Sequence, residues 1–136
     1  MYKVLVIDDE RMIRELIQQA LSRLDYKVDT VDNALGGIKK FEQGDYDLVI
    51  TDVRMPGVDG HTVVRHIRQS SRCTTPIIGL SGTPWLLQNG DFDEVMHKPF
   101  TLHSLMEKVT TLTNTHRIGY AADSDDAAES VIAALN

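Results

Sequence analysis

Asp8 and Asp9 follow the apolar run at residues 4–7, Asp52 follows the run at 48–50, Ser81 follows 76–80, and Lys98 lies just beyond 95–96. Carboxylates gathered at one place repel, and one of them keeps its proton unless a cation neutralises the group. Asp8, Asp9 and Asp52 together would suit a hard divalent cation. Mg²⁺ takes oxygen ligands and usually keeps several waters, which leaves positions for phosphate oxygens. Asp52 could then act as a nucleophile toward phosphorus, forming an aspartyl phosphate. The metal and the Lys98 ammonium would stabilise charge on the equatorial oxygens, and Ser81 could donate a hydrogen bond to one of them. Taken singly, each residue has a plainer role: Asp8 or Asp9 as a helix cap, Asp52 as a loop start, Ser81-Gly82 as a turn, Lys98 as a solvated charge. Their shared position at run ends is what favours a joint site.

The elements that must position them alternate. Residues 3–7, 26–31, 47–51, 76–80 and 94–97 have the composition of strands. Between them, apolar residues recur at helical spacing. Ile13, Leu16, Ile17, Ala20, Leu21 and Leu24 form one stripe; Leu35, Ile38 and Phe41 a second, with Asn33 as cap and Gly44 as stop; Val63, Val64 and Ile67 a third. Leu102, Leu105, Met106, Val109 and Leu112 form the stripe of a last helix, with Thr101 as its cap. Pro56-Gly57 and Asp59-Gly60 mark a loop. Strands alternating with helices imply right-handed crossovers and a parallel sheet covered on both faces. Ligands of such sheets bind outside the carboxyl ends of the strands, where all of these polar residues fall.

The chain has 136 residues, enough for one core with a terminal extension. No apolar run approaches the roughly 20 residues needed to cross a bilayer. No basic-then-apolar leader is evident, and the single Cys73 excludes an internal disulfide, so a cytoplasmic location is expected. A net charge of −6 without a basic block argues against direct nucleic-acid binding by this segment. His61, His66, His97 and His103 are not spaced as a metal set and are expected at the surface or in packing. Beyond Thr115 the composition shifts to a connector at 116–120, an acidic stretch at 123–126, and residues 127–135 that could form a short helix. That tail is either frayed or an added helix that docks on a partner or on a second copy, as a homodimer.

At these residues the chain resembles the receiver domain of two-component response regulators. The carriers are Val4-Leu5-Val6-Ile7-Asp8-Asp9-Glu10, the stretch Asp47-Leu48-Val49-Ile50-Thr51-Asp52-Val53-Arg54-Met55-Pro56-Gly57-Val58-Asp59-Gly60, Pro76-Ile77-Ile78-Gly79-Leu80-Ser81-Gly82, and His97-Lys98-Pro99-Phe100. The resemblance covers residues 1–114 and leaves 115–136 as an extension. It implies a flavodoxin-like, doubly wound, five-stranded parallel sheet. It implies that Asp52 takes a phosphoryl group from a phosphohistidine on a histidine kinase or histidine phosphotransfer protein and signals to a downstream protein. Asp9 would ligate Mg²⁺ directly, Asp8 would hold a coordinated water, and the Arg54 backbone carbonyl would be a further ligand. Ser81 and Lys98 would contact the phosphoryl group, and the Lys98–Pro99 bond would be cis. Such a domain is a signalling element rather than an enzyme, although it catalyses its own phosphoryl transfer and can lose the group by itself.

Two departures bear on switching. The family usually carries Phe or Tyr three residues before the lysine, where this chain has Val95. Only twelve residues separate Ser81 from the fifth strand, which shortens the fourth helix; Thr83, Pro84 and Asn89-Gly90 would bound it, and packing must hold a helix so short. Trp85 within it would either fold over the site of the missing ring or serve as an exposed anchor. The Arg54 side chain could pair with phosphate or with Glu10, or lie free on the surface. The alternative function is an interaction module of the same fold whose partner binding ignores phosphorylation. A Mg²⁺-dependent phosphohydrolase is disfavoured, because such enzymes usually place a second Asp two residues after the nucleophile, where Arg54 stands.

Overall fold

The computed structural model describes residues 1–55, 57, 59–83 and 91–121. Five parallel strands, β1 (Lys3–Ile7), β2 (Lys27–Val31), β3 (Leu48–Asp52), β4 (Ile77–Ser81) and β5 (Glu94–His97), stand in the order β2-β1-β3-β4-β5. The described helices are α1 (Arg11–Ser22), α2 (Ala34–Gln43), α3 (Gly60–Arg68) and α4 (Leu102–Ala121). This is the flavodoxin-like doubly wound arrangement.

Alternation along each strand divides the core in two. Leu5 and Ile7 of β1 join Val49, Ile77, Phe41, Val63, Val64 and Ile67 beneath α2 and α3. Val4 and Val6 join Leu48, Ile50, Ile78, Leu80, Ile17, Leu21, Leu105 and Val109 beneath α1 and α4. The three central strands bury both faces, so each carries an apolar run, at 4–7, 48–50 and 77–80. The edge strand β2 is only partly buried, and carries Lys27 and Asp29 where an unpaired edge needs charge.

Local signals close the helices. The Asn33 side chain accepts from the Gly36 N–H, and Thr101 Oγ1 from the Ser104 N–H. Asp59 accepts from the His61 and Thr62 N–H groups at the start of α3. Gly57 has φ +80°, a backbone region that suits glycine in this turn.

Three apolar residues assigned to helix stripes are exposed. Leu16 is a step of about 100° round the helix from Ile17, and so flanks the seam made by Ile17 and Leu21. Leu35 is displaced in the same way from Ala34 and Phe41. Leu24 falls after α1 has ended at Ser22, in a turn that passes through Asp25 at φ 62°. The stretch 116–120, expected as a connector, is helical: α4 continues through it to Ala121. The expected short helix from Thr83 to Asn89, with Pro84, Trp85 and Asn89-Gly90, lies outside the described residues from position 84 on, as does the tail helix at 127–135. No helix among the described residues is long and apolar enough to cross a membrane.

Candidate functional site

The chain winds outward from β1 in both directions, to β2 on one side and to β3 on the other, so a crevice opens at the carboxyl ends of β1 and β3. Register sets what meets there. Ile7 pairs with Thr51, so the following residues, Asp8 and Asp52, stand level. Asp52 pairs with Leu80, and Ser81 with His97, which brings Ser81 and Lys98 to the same edge. The Lys98 N–H donates to the Ser81 carbonyl at 2.8 Å, and the Lys98–Pro99 peptide is cis.

The Lys98 ammonium lies 3.0 Å from Asp8 Oδ2, 3.3 Å from Asp52 Oδ2 and 3.5 Å from Glu10 Oε1. Asp8 is fully buried and Asp52 is 5% exposed. Asp8 Oδ1 accepts from the Glu10 N–H at 2.9 Å, and Asp52 Oδ1 from the Arg54 N–H at 3.3 Å. Burial, together with the Asp8 charge, pushes the Asp52 carboxyl up to about 6 against the pull of Lys98 and the Arg54 N–H. Burial raises Asp8 as well, opposed by the Glu10 N–H and Lys98. Burial by itself would lower Lys98, but its contacts with Asp8 and Asp52 prevail and raise it. Burial is the main cause that lifts both acids; sharing one ammonium leaves the charge of Asp8 to add to it at Asp52.

Asp8, Asp9, Glu10 and Asp52 each offer a carboxylate oxygen within 4.8 Å of the others. An all-oxygen set of this kind, with no His or Cys in it, fits a hard cation such as Mg²⁺ and not a zinc-type metal. Asp9 and Glu10 are exposed and open the group to solvent. Ser81 is buried, and its hydroxyl accepts from the Thr83 N–H at 3.0 Å. The Arg54 side chain is exposed, and the Glu10 carboxylate turns to Lys98. His66 pairs with Glu42 and His103 with Glu107, both away from this edge, while His61 meets the Phe92 ring edge-on.

Sequence reasoning did not assign Glu10 to the carboxylate group, although its adjacency to Asp8-Asp9 was the available signal. It also did not find Gly60, which lets the start of α3 approach Asp52. A Cβ there would fall 2.3 Å from the Asp52 carbonyl oxygen and 2.9 Å from the Val53 Cα, both backbone. Gly60→Ala is therefore expected to destabilise the fold by about 1–3 kcal/mol and to slow any chemistry at Asp52. Urea midpoints and the phosphorylation rate check this; an unchanged midpoint counts against the tight approach.

The family model of the response regulator receiver domain matches residues 4–110. The chain is 43% identical over 79 residues to the transcriptional regulatory protein ResD of Bacillus subtilis, covering 58% of this chain and 32% of ResD. It resembles the crystal structure of the response regulator TrrA of Thermotoga maritima in complex with Mg²⁺-BeF, with TM-score 0.75, 39% identity, and coverage of 82% of this chain and 99% of that one. It also resembles TrrA in the complex with histidine kinase ThkA, with TM-score 0.73, 38% identity, and coverage of 82% and 98%. The chain spans about a third to a half of the length of the curated regulators it matches. The chain belongs to the response regulator receiver domain family, the signalling domains of two-component systems.

Proposed function

We propose that Asp52 is the phosphoacceptor, that Asp8, Asp9, Asp52 and the Arg54 carbonyl hold Mg²⁺, and that Ser81 and Lys98 receive the phosphoryl oxygens. The observation that carries this is the Asp8–Lys98–Asp52 contact in a buried, carboxylate-rich crevice. A cation bound here supplies the positive charge that the carboxylates lack and that an incoming phosphoryl group also needs. An Oδ of Asp52 forms a bond to phosphorus as the P–N bond to a donor imidazole breaks. Asp52 attacks as the carboxylate, so a carboxyl held near 6 leaves it ionised at neutral pH. Lys98 exchanges part of its contact with Asp8 and Asp52 for a transferred oxygen, and the buried Ser81 hydroxyl can donate to another. The donor is a histidine kinase or a histidine phosphotransfer protein, a reading supported by the kinase complex of TrrA. The domain acts in the cytoplasm as a signalling element and catalyses its own acquisition of the group.

Incubation with acetyl phosphate and Mg²⁺ tests the assignment by intact mass. One phosphoryl group per chain is expected, absent when the metal is chelated before the donor is added, and located to the peptide containing Asp52. No gain in mass, or a gain that persists in Asp52→Asn, overturns it.

A further inference from the structure

Phe92, two residues before β5, is 9% exposed and belongs to the core beneath α2 and α3. Its ring occupies space that Gly79 of β4 leaves open. A Cβ on Gly79 would fall 2.7 and 2.8 Å from two ring carbons and 3.4 Å from a Val53 methyl. The ring and Val53 therefore converge on one point of β4, and Val53 directly follows Asp52. The ring also meets His61 edge-on, with centroids 5.8 Å apart and planes at 77°. His61 follows Gly60, which abuts the Asp52 carbonyl. Asp52 thus reaches this one ring by two routes, through Val53 and through the first turn of α3.

Arg68, the last residue of α3, holds the chain on either side of Phe92. Its Nε and Nη2 donate to the Asp91 carbonyl at 3.0 and 2.6 Å, and Nη2 also meets Asp93 Oδ2 at 2.9 Å. Nη1 donates to the Cys73 and Thr75 carbonyls at 2.8 and 2.7 Å. The same Asp93 oxygen accepts from the Ile77 N–H at 2.8 Å, which fixes the entry to β5 against β4. One guanidinium therefore ties α3, the lead into β4 and the lead into β5 around a single aromatic ring.

We propose that Phe92, seated on Gly79 within the Arg68 clamp, is the positioning residue that passes the state of Asp52 to the segment entering β5. This rests on Asp52 being the phosphoacceptor. Val95, which pairs with Gly79 in the sheet and packs against the same core, offers no ring for the purpose, whereas Phe92 stands three residues earlier with its ring against His61 and beside Val53 at Gly79. A packed ring has discrete seats, so a small shift of the backbone at Val53 and at Gly60 moves it as a unit.

The test uses the full chain with Mg²⁺ and beryllofluoride, read by NMR at the amides of Asp91, Phe92 and Asp93 and at Arg68 Nε. These groups lie outside the carboxylate crevice. In the native chain all four signals are expected to shift on saturation. Phe92→Leu is expected to bind beryllofluoride within about threefold of the native chain, while the four shifts fall at least twofold. Phe92→Met serves the same purpose if the leucine variant does not fold. Gly79→Ala, which displaces the ring, is expected to move the four signals before any beryllofluoride is added. Undiminished shifts in Phe92→Leu at full occupancy, or no shift in a saturated native chain, overturn the inference alone. A native chain that binds no beryllofluoride at Asp52 overturns the phosphoacceptor assignment first, and the inference with it.

Discussion

Asp52→Asn is expected to make the metal-free domain more stable while abolishing phosphoryl acceptance. The carboxyl is held near 6 in the fold against an ordinary 3.8, so the folded state binds its proton more tightly than the unfolded chain does. The sign follows directly. Below about pH 4 the group is protonated in both states and costs nothing; as pH rises through about 6 the folded state must bear a buried charge, and stability falls. At about 1.4 kcal/mol per unit, and with solvent at the crevice mouth reducing it, the cost at neutral pH is about 1–3 kcal/mol. Asn keeps the shape and an oxygen to accept the Arg54 N–H, and removes the charge. Urea denaturation in chelator between pH 4 and 8 is expected to show a declining curve for the native chain and a flatter, higher one for the variant. Added Mg²⁺ should raise the native curve at pH 7 by mass action and the variant much less. An Asn variant less stable than the native chain at pH 7 without metal would remove the case for an electrostatically strained site.

Lys98→Ala is expected to have the opposite effect on stability and a similar one on function. It leaves Asp8 and Asp52 buried with no nearby ammonium, and removing one partner of a buried ion pair costs about 3–5 kcal/mol. Lys98 keeps 19% side-chain exposure, so the lower end applies, about 3 kcal/mol at neutral pH. The loss should shrink toward pH 4, where the carboxyls take up protons, and Mg²⁺ should recover part of it. Phosphorylation by acetyl phosphate is expected to slow by on the order of a hundredfold, the usual loss when one preorganised charge is removed from a transition state. A phosphorylation rate within a few-fold of native would show that the ammonium serves folding only.

The contrast between these two substitutions expresses one design. The crevice has more negative charge than its single lysine balances, an excess that the proposed cation would neutralise. The register of β1 with β3 sets Asp52 level with Asp8, and Gly60 lets the start of α3 close on its carbonyl.

Much of this was legible in the chain. Buried parallel strands must be apolar on both faces, so β1, β3 and β4 stood out as unbroken runs. The polar residues at the run ends followed from that, because parallel strands place all their carboxyl ends on one edge. Helix stripes were less legible. Leu16, Leu24 and Leu35 share the composition of core residues, and their exposure depends on where each helix is rotated and where it stops.

What the sequence determined alone is the kind of edge this protein has: which residues end the strands, and hence the chemistry of Asp8, Asp9, Asp52, Ser81 and Lys98. What only the tertiary structure decided is who meets whom across that edge and behind it. Lys98 choosing both Asp8 and Asp52, Glu10 joining the carboxylates, and Phe92 settling on Gly79 within the reach of Arg68 are contacts between residues far apart in the chain or turned by a local bend. Periodicity records only which way a side chain faces; the partner it finds is set by strand order, register and the space left by its neighbours.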